Sequence, residues 1–209
     1  MPTPVKIKMC GMTHPDDAET AAKLGAEAIG MILSEGDGDK IFTRYVPKNQ
    51  AMDIVNALPG TIKKVGVFVN ENPDRINSLS EILQLDFVQL HGEETPDDIK
   101  KVHCDIIKAI KVTELSSLNR LEDFKVQAFL FDAAEGGSGE AFDWERLKEI
   151  KVKVPIFLAG GLNPDNVTEA VQSVSPDWVD VSSGIEGETK GRKDPEKMKC
   201  FIEAVRNAG

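Results

Sequence analysis

The chain has 209 residues, 41% of them hydrophobic and 29% charged, which is ordinary for a soluble globular protein. Its formal net charge is −10 and no stretch forms a basic block, so the cationic footprint of a nucleic-acid binder is missing. The longest apolar runs, Ala28–Leu33 and Val65–Val69, fall far below the ~18 residues of a membrane span, so no membrane partner is expected.

The start, Met1-Pro2-Thr3-Pro4, lacks the basic and apolar regions of a signal peptide, so secretion is not expected, and three widely spaced cysteines fit a reducing cytosol and a cytoplasmic protein. Short apolar, β-branched runs then recur along the chain. They predict strands over Val5–Cys10, Ala28–Leu33, Lys64–Val69, Asp86–His91, Ile106–Val112, Ala128–Asp132, Val154–Ala159 and Trp178–Ser182. Near-continuous apolar runs suit strands buried on both faces. Helical patterns lie between them, at about 14–24, 47–58, 114–123 and 143–150 and in three stretches with clear apolar stripes. The stripes are Ile76, Leu79, Ile82 and Leu83; Val167, Ala170, Val171 and Val174; and Met198, Phe201, Ile202 and Val205. Asn72-Pro73, Thr95-Pro96, Asn163-Pro164 and Asp194-Pro195 each set a capping side chain before a proline, where the missing N–H costs nothing. The one long irregular stretch is Ser34–Val46.

Eight β-then-α units imply a parallel sheet with right-handed crossovers, closing as a (β/α)8 TIM barrel in a single domain over residues 1–209. A chain of this length can bury roughly 70% of its unfolded surface without a staple. The structural alternative is an open doubly wound sheet, but no GxGxxG follows the first strand.

A barrel gathers its reactive groups at the C-terminal ends of its strands. Those ends read Cys10-Gly11, His91-Gly92, Asp132, Gly160-Gly161 and Asp180-Val181-Ser182-Ser183-Gly184. The glycine and serine segments after strands seven and eight suit a phosphate held by backbone N–H groups, or are ordinary turns that need glycine. Gly136-Gly137-Ser138-Gly139 is a third candidate anion-facing loop. The cysteines, Cys10, Cys104 and Cys200, form no CxxC, so neither a disulfide framework nor a zinc site is expected. A free cysteine is usually a small core hydrophobe. Cys10, however, shares a strand face with Lys6 and Lys8. If that face looks inward, Lys8 lies about 7 Å from the sulfur, and its ammonium favours thiolate. Asp132 ends an apolar run, where partial desolvation helps a carboxyl stay protonated as an acid, or it caps a turn. Asp180 can bond a sugar hydroxyl or cap a turn; His91 is a ligand contact or a structural histidine. Arg44 can clamp a carboxylate or sit as a surface charge.

The stretches Lys8-Met9-Cys10-Gly11-Met12-Thr13, Val65–Asn70, Val88-Gln89-Leu90-His91-Gly92-Glu93-Glu94, Gly136–Gly139 with Phe142-Asp143-Trp144, Leu158–Val167 and Val179–Glu186 come in the order of a known family. The chain resembles the phosphoribosylanthranilate isomerases, (β/α)8 enzymes of tryptophan biosynthesis. The resemblance implies a cofactor-free Amadori rearrangement of N-(5-phosphoribosyl)anthranilate to 1-(2-carboxyphenylamino)-1-deoxyribulose 5-phosphate. Cys10 would be the general base and Asp132 the general acid. Gly160, Gly161, Ser182, Ser183 and Gly184 would hold the phosphate, Arg44 the anthranilate carboxylate and Asp180 the ribose, with His91 a further substrate contact. No metal is expected, the partner is a small phosphorylated substrate, and the oligomeric expectation is a monomer or weak homodimer. Two loops depart from the family pattern: three residues separate Asp132 from Gly136, a short connection, and the loop before Arg44 is extended. The alternatives are a dual-substrate or histidine-pathway aminoaldose isomerase, for which an aspartate is expected at the place of Cys10, and a non-catalytic phosphosugar-binding barrel.

Overall fold

Lys8 and Asp180, 172 positions apart in the chain, are register partners on neighbouring parallel strands of a closed barrel in the computed structural model. The structure describes residues 4–37, 40–112, 121–132, 147 and 152–208. The eight staves, in chain order, are Lys6–Met9, Ala28–Ile32, Lys63–Phe68, Phe87–Leu90, Ile106–Lys111, Ala128–Asp132, Ile156–Ala159 and Trp178–Val181. Each pairs in parallel with its sequence neighbour, and the first closes on the eighth. The fold is therefore the expected (β/α)8 barrel. The sixth strand matches its predicted limits, and the others differ by a few residues at their ends.

The helices are α1 (Pro15–Leu24), α2 (Lys48–Ala57), α3 (Pro73–Leu83), α4 (Pro96–Ile99), α5 (Val167–Val174) and α6 (Pro195–Ala208). Asn72 caps α3 by accepting from Asp74 N–H, and Thr95 forms a full capping box with Asp98 on α4. Asp194 accepts from the N–H groups of Glu196 and Lys197 at the start of α6. Asn163 does not cap α5. Its Oδ1 accepts from the N–H groups of Asp165 and Asn166, closing a turn, and the helix begins at Val167. The stripe on α3 is buried at Ile76, Leu79 and Leu83, but Ile82 is 46% exposed. Of the helix expected over 114–123, a single 3-10 turn at 121–123 is described; the remainder, and all but Leu147 of the one expected over 143–150, lie outside the described residues. The stretch Ser34–Val46 is less irregular than expected: its described residues include a short antiparallel ribbon, Gly36–Asp37 with Lys40–Ile41.

Side-chain alternation divides the hydrophobic interior in two. Ile7, Met9, Ile29, Met31 and Phe68 face outward and pack under the helices. Ala28, Val65, Ile107, Leu130 and Phe157 face inward with their neighbours. The lower end of the barrel is filled by Trp178 stacked on Phe157, their ring centroids 4.8 Å apart and 11° from parallel. The Lys6 ammonium lies 5.2 Å from the Trp178 ring centroid. Lys6, Lys8 and Cys10 thus climb the inside of the first strand, from floor to mouth.

Candidate active site

The C-terminal ends of the staves enclose a cavity of about 300 Å³. Of the residues singled out in the sequence, Cys10, His91, Asp132, Gly160, Gly161, Asp180, Ser182 and Ser183 line it. Arg44 and Gly184 do not. Gly184 lies beneath the loop, where a Cβ would stand 2.0 Å from the Leu162 carbonyl oxygen, so only glycine fits. Arg44 forms a two-pronged pair with Glu186; its Nη2 lies 2.9 Å from Oε2. Gly136–Gly139 lies outside the described residues.

Cys10 is buried at the top of the inward ladder, with Lys8 one rung below. The Lys8 ammonium donates to Asp180 Oδ1 at 2.9 Å and is wholly shielded from solvent. The space for sulfur and ammonium comes from Gly30 on the second strand. A Cβ there would meet Cys10 Sγ at 2.7 Å and Lys8 Nζ at 3.1 Å. Burial pulls the Lys8 pKa down, but Asp180 and Cys10 more than offset it, leaving the ammonium firmly charged. For Cys10, burial pushes the thiol pKa up, and the Lys8 and Lys193 ammoniums oppose that push without overcoming it. The expected help from Lys8 is present, yet the net direction is upward, because the strand end is deeper than its sequence position suggests. Burial likewise raises the Asp180 carboxyl, against the pull of Lys8.

Asp132 ends the sixth strand, and its Oδ2 lies 3.0 Å from His91 Nε2. The other ring nitrogen, Nδ1, lies 2.8 Å from Gln89 Nε2, two residues back on the fourth strand and on the same inward face. His91 is fixed from below by a buried ion pair. Lys108 meets Glu94 at 2.8 Å and also donates to the Gly92 carbonyl, while Glu94 accepts from the N–H groups of Asn70 and Gly92.

Across the cavity, Gly160 (φ 94°) and Gly161 (φ 67°) turn the chain in the left-handed region that favours glycine. Ser182 precedes the 3-10 turn Ser183–Ile185. The chain then pairs back on itself through Glu186 and Lys193. Lys193, buried, donates to the Ser182 carbonyl at 2.9 Å and lies 3.4 Å from Glu186. Burial lowers its pKa more than Glu186 and Cys10 raise it. Arg44, Glu186 and Lys193 thereby tie the loop after strand two to the loop after strand eight. Reading along the chain missed Gly30, Gln89, Glu186 and Lys193. Gly30 left a signal, a glycine within an apolar strand, and Gln89 and Glu186 lie within the stretches that carry the family resemblance. Among the described residues, no group of three or more His, Cys, Asp and Glu side chains is placed to hold a metal ion. No helix among them is long and apolar enough to cross a membrane.

A family model described as N-(5'phosphoribosyl)anthranilate (PRA) isomerase matches residues 7–204. The N-(5'-phosphoribosyl)anthranilate isomerase of Trichlorobacter lovleyi is 41% identical over 209 residues, spanning 98% of this chain and 99% of that relative. The crystal structure of phosphoribosyl anthranilate isomerase from Thermotoga maritima superposes with a TM-score of 0.84 at 36% identity, covering 97% of this chain and 99% of that one. A further isomerase structure, in complex with reduced 1-(o-carboxyphenylamino)-1-deoxyribulose 5-phosphate, matches with a TM-score of 0.81 at 34% identity over 97% of this chain and 99% of that one.

Proposed function

The chain belongs to the N-(5'-phosphoribosyl)anthranilate isomerase family, and we propose that its one domain, residues 1–209, performs the aldose–ketose step of tryptophan biosynthesis with Cys10 as base and Asp132 as acid. The observation that carries this reading is that a thiol on strand one and a carboxyl on strand six line the same cavity. The glycine and serine loops after strands seven and eight line it too. A related isomerase was crystallised with a phosphorylated ligand, which supports a phosphorylated small molecule as substrate.

Asp132 gives its proton to the furanose ring oxygen, the C1′–O bond breaks, and a protonated Schiff base forms between C1′ and the anilino nitrogen. Cys10, as thiolate, takes the proton from C2′. The electron pair of that bond flows to the nitrogen and leaves a neutral enolamine, which tautomerises to the ketone. One acid and one base are enough: C1′ is reduced as C2′ is oxidised within the same molecule, and no external oxidant or reductant is consumed. Gly160, Gly161, Ser182 and Ser183 hold the phosphate by backbone N–H and hydroxyl groups, with Gly184 giving the loop its close packing. Asp180 meets the ribose and His91 stands beside the acid. Arg44 keeps Nη1 for the anthranilate carboxylate while Nε and Nη2 remain on Glu186. The reaction runs in the cytoplasm, in a monomer or weak homodimer.

The test is to mix the protein with freshly prepared N-(5-phosphoribosyl)anthranilate and follow loss of its fluorescence, with the histidine-pathway aminoaldose in a parallel sample. Rapid loss with the first substrate and no conversion of the second is expected. No loss with the first overturns the reading.

A further inference from the structure

Gln89 is 1% exposed, on the inner face of the fourth strand, at the base of the cavity. Its amide nitrogen lies 2.8 Å from His91 Nδ1, and its Oε1 is buried with no hydrogen-bond partner among the described residues. A methionine or leucine would fill that space without leaving a polar atom stranded. A buried amide with one end unmet is therefore held for what its other end does. That end meets the histidine that faces Asp132.

We propose that Gln89 is a positioning residue that fixes the tautomer of His91, so that His91 presents an N–H, rather than a lone pair, to the Asp132 carboxyl. This rests on the reading of Asp132 as the acid. Which end of the amide meets the ring follows from hydrogen-bond accounting. With nitrogen toward Nδ1, one carbonyl oxygen goes unmet. With oxygen toward Nδ1, an amide NH2 is stranded instead, and stranded buried donors are the rarer and costlier case. The amide N–H thus donates to Nδ1, which accepts. In a neutral imidazole the hydrogen then sits on Nε2, 3.0 Å from Asp132 Oδ2.

The consequence is felt as Asp132 releases its proton to the ring oxygen. A donor is already in place for the carboxylate that forms, so its charge is met without rearrangement. In the opposite tautomer, the Nε2 lone pair would face the still-protonated Asp132 carboxyl and compete with the substrate for its proton. The Lys108–Glu94 pair beneath the loop holds the ring's backbone, so Gln89 sets its hydrogen and the ion pair sets its place.

The test uses full-length protein labelled with 15N-histidine and reads ring nitrogens by long-range 1H–15N correlation. The chain has three histidines, and His91→Asn assigns the signal. The wild type is expected to show His91 with hydrogen on Nε2. Gln89→Glu, whose carboxylate accepts at Nδ1, should move it to Nδ1, and Gln89→Met should give a mixture. Turnover should fall by roughly 10-fold or more in both, the low end for an outer-shell partner of a reacting group, with KM nearly constant. A wild-type ring carrying hydrogen on Nδ1 overturns the proposal whether or not the variants fold. So do variants that leave the tautomer unchanged. The tautomer is read without substrate. Failure of the wild type to consume phosphoribosylanthranilate would instead count against Asp132 as acid, not against Gln89 as the setter of the ring.

Discussion

The Lys8 ammonium and the Asp180 carboxylate meet at 2.9 Å inside the barrel, Lys8 wholly and Asp180 almost wholly out of water. Removing one partner strands the other charge. Lys8→Met is expected to destabilise the fold by about 3–5 kcal/mol, the range for breaking a buried pair. The double variant Lys8→Met/Asp180→Asn should recover much of that loss, since no lone charge remains. Urea unfolding of the three proteins measures it, and a double variant no more stable than Lys8→Met would refute the pairing argument.

Cys10→Ala should fold as the parent does, by circular dichroism, and lose at least ~100-fold in turnover, the lower range for general acid–base catalysis. Asp132→Asn should lose a similar factor, because an amide cannot give up a proton to the ring oxygen. Wild-type rates in either variant would remove that residue from the chemistry.

Gly30→Ala tests the space beside the sulfur. The added methyl would sit 2.7 Å from Cys10 Sγ and 3.1 Å from Lys8 Nζ, so both must shift. Overpacking of this kind costs about 1–3 kcal/mol. The expected outcome is a modest drop in melting temperature and a disproportionate drop in kcat, because the displaced atom is the proposed base. A melting temperature that falls while kcat holds would show that the sulfur tolerates displacement.

The pH profile follows from the direction of the thiol shift. Burial raises the Cys10 pKa above its ordinary value, so the thiolate is a minority form at neutral pH and grows as pH rises. kcat/KM should climb from about pH 7 toward about pH 9. Lys8 lowers the thiol pKa, so Lys8→Met should move the climb to higher pH. Displacement toward lower pH, or a flat profile, would contradict the assignment of the base. Titration of thiolate absorbance gives the same direction without turnover.

The eight strands are legible in the sequence because staves covered on both faces leave unbroken apolar runs. The ladder Lys6, Lys8, Cys10 is legible because alternation fixes which side chains share a face, although the chain alone does not say which face is inward. What the sequence hides is partnership at distance. Asp180 lies 172 positions from Lys8, and Glu186 lies 142 from Arg44, so neither pair has a local signature. Lys193 and Gln89 read as unremarkable polar residues until folding brings them against Ser182 and His91. Asn163 was misleading for a different reason. Asparagine before proline favours both a helix cap and a turn, and here the turn comes first, with the helix start left to Val167.

The stack of Trp178 on Phe157 at the lower end makes the barrel a blind well. Traffic through it is one-way in architecture and two-way in time: whatever enters by the rim must depart by the rim. A fresh substrate therefore waits for the spent one to clear, and accumulated ketose should compete with incoming aldose for the same doorway.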